Sequence, residues 1–355
     1  MDEYIRIYVK RNGRTIEIPL YKGIEDFYPL AQMTNQILDG LREDVKTWMN
    51  PEVYEKLKLV ILVEDSDLVN AFATKYNDKH IIALSRGLLL LSHMEIIKWI
   101  ESPNFLEVYK LSDENKPGLI ESLYRNMTCF VIAHEMGHIV NGHVDACGGT
   151  FCYIDELALE KKERNWSTQL REYDADCYAA KICSKIRLAY CKKNKGLTTF
   201  EFDNLGIVML LTFNILSLSR KQDFTNYMDL DIAAIDHPHP GIRMSYCLYT
   251  VTDELLTVWS EKDTKEIFSV ISDGIIRTDK YLFHKEKYKD CIVAVAGTEK
   301  GAQHIMNLVN SWNDVVDEYE KYAYIPARRT EKLESHLVSV DDEGNVLIPN
   351  FLEMQ

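Results

Sequence analysis

This 355-residue sequence predicts an α+β fold, mainly α-helical, with a small mixed β-sheet and one helix that carries an active site. Three observations predict it. Short apolar stretches bounded by turn residues cluster in the first quarter of the chain, as strands do. Longer stretches of helical period fill most of the remaining three quarters. One of these, Phe130 to His143 (FVIAHEMGHIVNGH), sets ionisable residues four apart against an apolar surface.

Composition narrows the class. With 46% hydrophobic and 27% charged residues, the chain has enough material for two cores or one elaborated core. A net charge of −14 opposes nucleic acid or an anionic membrane as partner. The start, MDEYIRIYVKRNGR, lacks the basic-then-apolar pattern of a secretory signal. The longest uncharged run, Asn204 to Ser219, falls short of the roughly 20 apolar residues of a membrane span and reads as a buried core helix. Eight scattered cysteines, with no C-x-x-C pair, read as reduced core thiols of a cytoplasmic protein.

In order, residues 4–20 alternate about Asn12-Gly13 and predict a hairpin. A helix over about Leu30 to Met49 and a buried strand at Leu59 to Val63 come next, closing an N-terminal region of residues 1–65. The second region, 66–250, opens with Asn70, Ala71, Phe72 and Ala73. Ala71–Thr74 and His80–Ser85 flank Asn77-Asp78 as a second hairpin, leading into a helix near Arg86. A strand at the rim of a cleft could offer its backbone to an extended peptide. Leu119 to Val144 predicts the long helix, stopped at Gly148-Gly149. Tyr153 to Leu170 reads as a solvated helix, and Arg171 to Lys192 as a second strongly helical stretch. Thr198-Thr199-Phe200-Glu201 suits a capping box ahead of the apolar helix that runs to about Arg220, and another helix begins near Pro240. The last region, 251–355, holds further helices, notably Lys300 to Tyr322, and a hairpin at Asp342-Glu343-Gly344; it has no chemical motif and could hold a regulatory partner's site.

The chemistry lies in His134-Glu135-Met136-Gly137-His138. Four residues turn a helix about 400°, so the two imidazoles share a face and can grip one Zn2+. Glu135 lies beside the metal rather than on it, where a carboxylate can take a proton from water. Two histidines leave zinc short of a third protein ligand. His143, five residues past His138, points about 140° further round and cannot face the same metal while the helix continues. A pattern with a histidine six residues on is excluded by Asn141 and Val144. Glu172 is the better candidate, with Asp176 one turn later placed to accept the spare N–H of His134 or His138.

HEMGHIVNGH followed by REYDADCYA resembles the CAAX prenyl endopeptidase and HtpX-like family of gluzincin zinc metallopeptidases, whose sites combine HExxH with a later ExxxD. NAFAT, IIALSRGLL and DHPHPGIR extend that resemblance, so four blocks cover about Asn70 to Arg243. It implies a zincin-like core in which His134, His138 and Glu172 hold zinc. Glu135 is then the general base, Asp176 lies behind the ligands, and His237 and Arg243 stabilise the oxyanion. Many members of that family are integral membrane proteins; this sequence lacks such spans, so a soluble protein or peptide substrate is expected. The chain also resembles, by zinc motif and size, the phage-exclusion peptidases that cut one host protein. A catalytically silent zinc-binding regulator is the remaining alternative, against which Glu135 speaks, since structural zinc has no need of it.

Overall fold

The computed structural model describes residues 4–11, 14–25, 30–102, 105, 112–147, 166–193, 199–219, 237–282, 292–330, 332, 339–340 and 346–347. Contacts divide the chain into two compact units: 1–159 with 218–220 and 317–327, and 160–217 with 221–316 and 328–355.

The first unit is built on a five-stranded sheet of order β1-β2-β3-β5-β4, from β1 (Tyr4–Arg11), β2 (Arg14–Tyr21), β3 (Val60–Glu64), β4 (Ala71–Tyr76) and β5 (Lys79–Ser85). All neighbours are antiparallel except β3 and β5, so the sheet is mixed, as expected. The Asn12-Gly13 turn lies outside the described residues. The second hairpin forms as expected, with Asn77 at φ 56°, the left-handed value that a two-residue turn requires. One sheet face is sealed by Ile5, Ile7, Ile18, Leu20, Leu62, Phe72, Ile81 and Ala83, and each larger side chain in it contributes roughly 1.5–3 kcal/mol by leaving water.

Helix α1 (Ala31–Val45) lies within the helix expected over about Leu30 to Met49, and a second helix, α2 (Pro51–Leu57), follows it. Asn50 caps α2 by accepting from the Glu52 N–H, and Pro51 takes its first turn. Ser85 ends β5 and caps α3 (Arg86–Ile100), its Oγ accepting from the Leu88 N–H at 3.1 Å. The long helix α4 runs Lys116–Val140 and packs against α3, β4 and β5. From Met127 onward every residue of α4 is buried, so the face expected to be polar is covered as fully as its apolar back.

The chain leaves α4 earlier than Gly148-Gly149, which lie outside the described residues. At Gly142, φ is 84°, and a Cβ there would stand 2.6 Å from the Tyr319 carbonyl oxygen, so only glycine fits. The short helix α5 (His143–Ala146) starts immediately after this turn. Tyr324, from the 317–327 segment, donates its N–H to the Val140 carbonyl at 2.7 Å and satisfies one of the orphan acceptors at the end of α4.

The second unit is helical: α6 (Trp166–Lys193), α7 (Thr199–Ser219), α8 (Pro240–Leu256), α9 (Glu261–Leu282), a 3-10 turn (Ile292–Gly297) and most of α10 (Glu299–Glu320). Residues 153–165 of the expected solvated helix, and Thr198 of the expected capping box, lie outside the described residues. Every residue of α7 from Phe202 to Leu216 is buried, as a core helix requires. Gly206 brings α7 close to Ile271 and Ile275 of α9. Proline opens α8 as expected, and α8 packs along α6. The 3-10 turn is held by Asp279, whose carboxylate accepts from the N–H groups of Ile292 and Val293. Strands β6 (Ser339–Val340) and β7 (Val346–Leu347) pair antiparallel about Asp342-Glu343-Gly344, itself outside the described residues. Cys129, Cys177, Cys183, Cys191 and Cys247 are buried, while Cys147 is exposed. Among the described residues no helix is long and apolar enough to cross a membrane.

Candidate metal centre

One helical turn on α4 separates His134 from His138, and their Nε2 atoms stand 3.2 Å apart with the rings nearly perpendicular, at 81°. Two nitrogens each about 2.0–2.1 Å from a tetrahedral zinc would be separated by roughly 3.3 Å, so the pair already has the edge length of that coordination. Glu172 on α6 supplies the third donor. The ligand atoms of His134, His138 and Glu172 all lie within 4.8 Å of one another, and all three residues are buried. Two imidazoles and a carboxylate, with a fourth position left to water or substrate, form the donor set of a catalytic zinc. These residues fit the ion. Glu135, between the histidines, is buried at 1% exposure; a carboxylate placed so deep is costly unless it interacts with other polar groups.

In the second unit Glu172 and Asp176 share one face of α6 and meet α8. The Arg243 guanidinium grips Asp176 with a two-toothed fork, Nε to Oδ2 and Nη2 to Oδ1, both 2.8 Å. Its Nη2 is also 3.5 Å from Glu172 Oε2, and its carbon lies 4.4 Å from the Phe213 ring centroid. Tyr246, one turn after Arg243, donates its hydroxyl to Asp176 Oδ2 at 2.5 Å. Burial first, and the Asp176 charge second, push the Tyr246 phenol well above its ordinary pKa, so it remains a donor. His237 Nε2 is 3.9 Å from Glu172 Oε1, too far for a hydrogen bond and near enough for charge to be felt.

His239 caps α8, its Nδ1 accepting from the Gly241 N–H at 3.1 Å. Burial, and then His304, lower its pKa from 6.5 to about 3. The folded state therefore binds this proton less readily than the unfolded chain, and the stability present above about pH 6.5 is lost as pH falls toward 3. His239→Asn keeps a cap acceptor and removes the titration. Its melting temperature is expected to fall less steeply than wild type on acidification; parallel curves would reject this assignment.

Of the residues singled out in the sequence, His134, His138 and Glu172 come together, and Asp176, His237 and Arg243 gather around Glu172. Ala71, Phe72 and Ala73 lie on β4, which among the described residues is the last strand of the sheet and against which α4 packs. Asn70 precedes it, tied to Ser85 by its N–H to Oγ and by the Ser85 N–H to its carbonyl, both 2.9 Å. Two further residues escape a reading by motif. Tyr246 carries no motif, although helical spacing alone could have found it, since it stands three residues after Arg243 and shares its face. His143 is lost to any reading that assumes a continuous helix, yet its Nδ1 is 3.0 Å from His138 Nδ1.

A buried His-His-Glu triad carried by an HExxH helix and a following helix defines a zinc metalloendopeptidase of the gluzincin class. A profile of Peptidase family M48 matches residues 41–228, more than half of the chain and including all three donors, so the chain belongs to peptidase family M48 and uses Zn2+. His237 and Arg243 lie beyond the matched residues. No curated protein and no solved structure matches the chain.

Proposed function

We propose that the chain hydrolyses peptide bonds of a soluble protein substrate with Glu135 as general base and His134, His138 and Glu172 as the protein ligands of zinc. The observation that carries this reading is the buried triad, with Glu135, next to His134 on the same helix, itself buried at 1% exposure. Zinc, when bound, polarises the scissile carbonyl and makes water acidic enough to be deprotonated near neutral pH. Glu135 takes the proton of the attacking water and returns it to the leaving amine. His237 faces the developing oxyanion as a hydrogen-bond donor. Arg243 acts one step back, because its fork is used on Asp176 and its Nη2 also stands 3.5 Å from Glu172. Asp176 thus orients Arg243, and Arg243 fixes the Glu172 carboxylate.

Residues 70–73 supply the substrate strand in this reading. β4 has β5 as its neighbour on one side and, among the described residues, ends the sheet on the other, where an extended peptide could add by backbone hydrogen bonds. A reducing cytoplasmic setting is part of the proposal and is supported by five cysteines buried as core thiols. The test is cleavage of an unfolded polypeptide such as casein by zinc-loaded protein. Loss with a chelator and recovery on adding zinc are expected, whereas chelator-insensitive cleavage would remove the metal from the account.

A further inference from the structure

We propose that His143 is a positioning residue that fixes the tautomer and ring plane of the zinc ligand His138, an inference that rests on the ligand assignment above. The Nδ1 atoms of the two rings are 3.0 Å apart, and a contact this short between nitrogens needs one proton between them. If His143 donated, the His138 proton would sit on Nε2, the atom 3.2 Å from His134 Nε2 that must present a lone pair to the metal. If His138 donates from Nδ1, its Nε2 is bare and the ring is set for coordination. The second arrangement is the one compatible with zinc, and it makes the His143 Nδ1 an acceptor.

The fold goes to some length to put it there. On an uninterrupted helix His143 would point about 140° away from His138. The turn at Gly142, with φ 84°, brings it back, and the 317–327 segment closes over that turn so tightly that a Cβ would meet Tyr319, Tyr322 and Ala323 backbone within 2.8 Å. His143 is fully buried, and its ring stands edge-on to Tyr319, with centroids 5.0 Å apart. Ligating histidines ordinarily donate to a carboxylate, a carbonyl or water. Here the acceptor is a neutral imidazole, which orients the ring without adding a second negative charge behind the metal.

The test compares zinc dissociation constants, by competition with a chromophoric chelator, for wild type, Glu172→Ala, His143→Phe and His143→Asn. Phenylalanine keeps a ring against Tyr319 and removes the acceptor; asparagine places Oδ1 where Nδ1 was. We expect His143→Phe to weaken zinc about 10–100-fold and to shift the visible bands of the cobalt(II)-substituted protein, with the apoprotein melting as wild type does. His143→Asn is expected to stay within about threefold of wild type with wild-type bands, as rescue by the retained acceptor requires. Should His143→Phe not fold, the smaller His143→Leu takes its place. Wild-type affinity in the acceptor-less variant, or equal weakening in Asn and Phe, would overturn the inference while leaving the triad intact. A wild type that takes up no zinc would overturn the ligand assignment and the inference together.

Discussion

Glu135→Gln is expected to keep its zinc and lose roughly 10²–10⁴-fold in kcat, with little change in KM. The substitution is nearly isosteric and leaves His134, His138 and Glu172 in place, so metal content should be unaltered. The carboxylate proposed to accept a proton disappears, an effect that would be confined to the reacting state. Because Glu135 is buried at 1% exposure, the neutral amide is also cheaper to desolvate than the charge it replaces, and the folded protein should be no less stable. Zinc content, melting temperature and turnover on one preparation decide the matter. If Glu135→Gln turned over at the wild-type rate, proton transfer would have to be assigned elsewhere.

Arg243→Met is expected to cost roughly 3–5 kcal/mol of stability, the range for removing one partner of a buried ion pair. Arg243 and Asp176 are 3% and 0% exposed, and both teeth of the guanidinium fork engage the carboxylate at 2.8 Å. Methionine fills much of the same volume but leaves Asp176 charged in an apolar setting, with the Tyr246 hydroxyl still donating to it. Pairing the change with Asp176→Leu removes the stranded charge, so the double variant should lose less than the sum of the two singles. Denaturant midpoints measure this directly. Additive losses would mean that the pair does not interact as drawn, and that Arg243 contributes through its contact with Phe213 instead.

How far the sequence reveals this site depends on the range of the interactions. The histidines four apart, and Glu172 and Asp176 four apart, follow from helical geometry alone, and both pairs lie on helices. The second hairpin is legible because Asn77-Asp78 is a local turn signal and the residues around it pair with each other. The end of α4 is easily misplaced because Gly148-Gly149 looks the stronger stop, while Asn141-Gly142 carries the true one, a glycine just past the helix where left-handed backbone is needed. That misplacement hides His143, whose position depends on the turn. No periodicity can announce that Tyr319, about 180 residues further on, closes over that turn and that Tyr324 caps Val140, since such contacts are set by tertiary packing.

The network at Asp145 illustrates the same limit. Its carboxylate accepts from Lys75 at 2.6 Å and from the Tyr324 hydroxyl at 2.9 Å, and lies 3.2 Å from His80 Nε2. Burial by itself would raise its pKa, yet these partners outweigh burial and hold it below the usual carboxylate range. In the sequence Lys75, His80, Asp145 and Tyr324 carry no signal that links them. Together they pin α5, and with it His143, to β4 and β5.

Zinc content of the purified protein beside that of Glu172→Ala, measured by elemental analysis after dialysis, tests the central claim most directly. One zinc per chain in wild type and little in the variant is the predicted result, because removing one of three protein donors leaves a histidine pair that water must complete. Equal zinc in the two would contradict the His134, His138 and Glu172 assignment and move the third ligand to another residue.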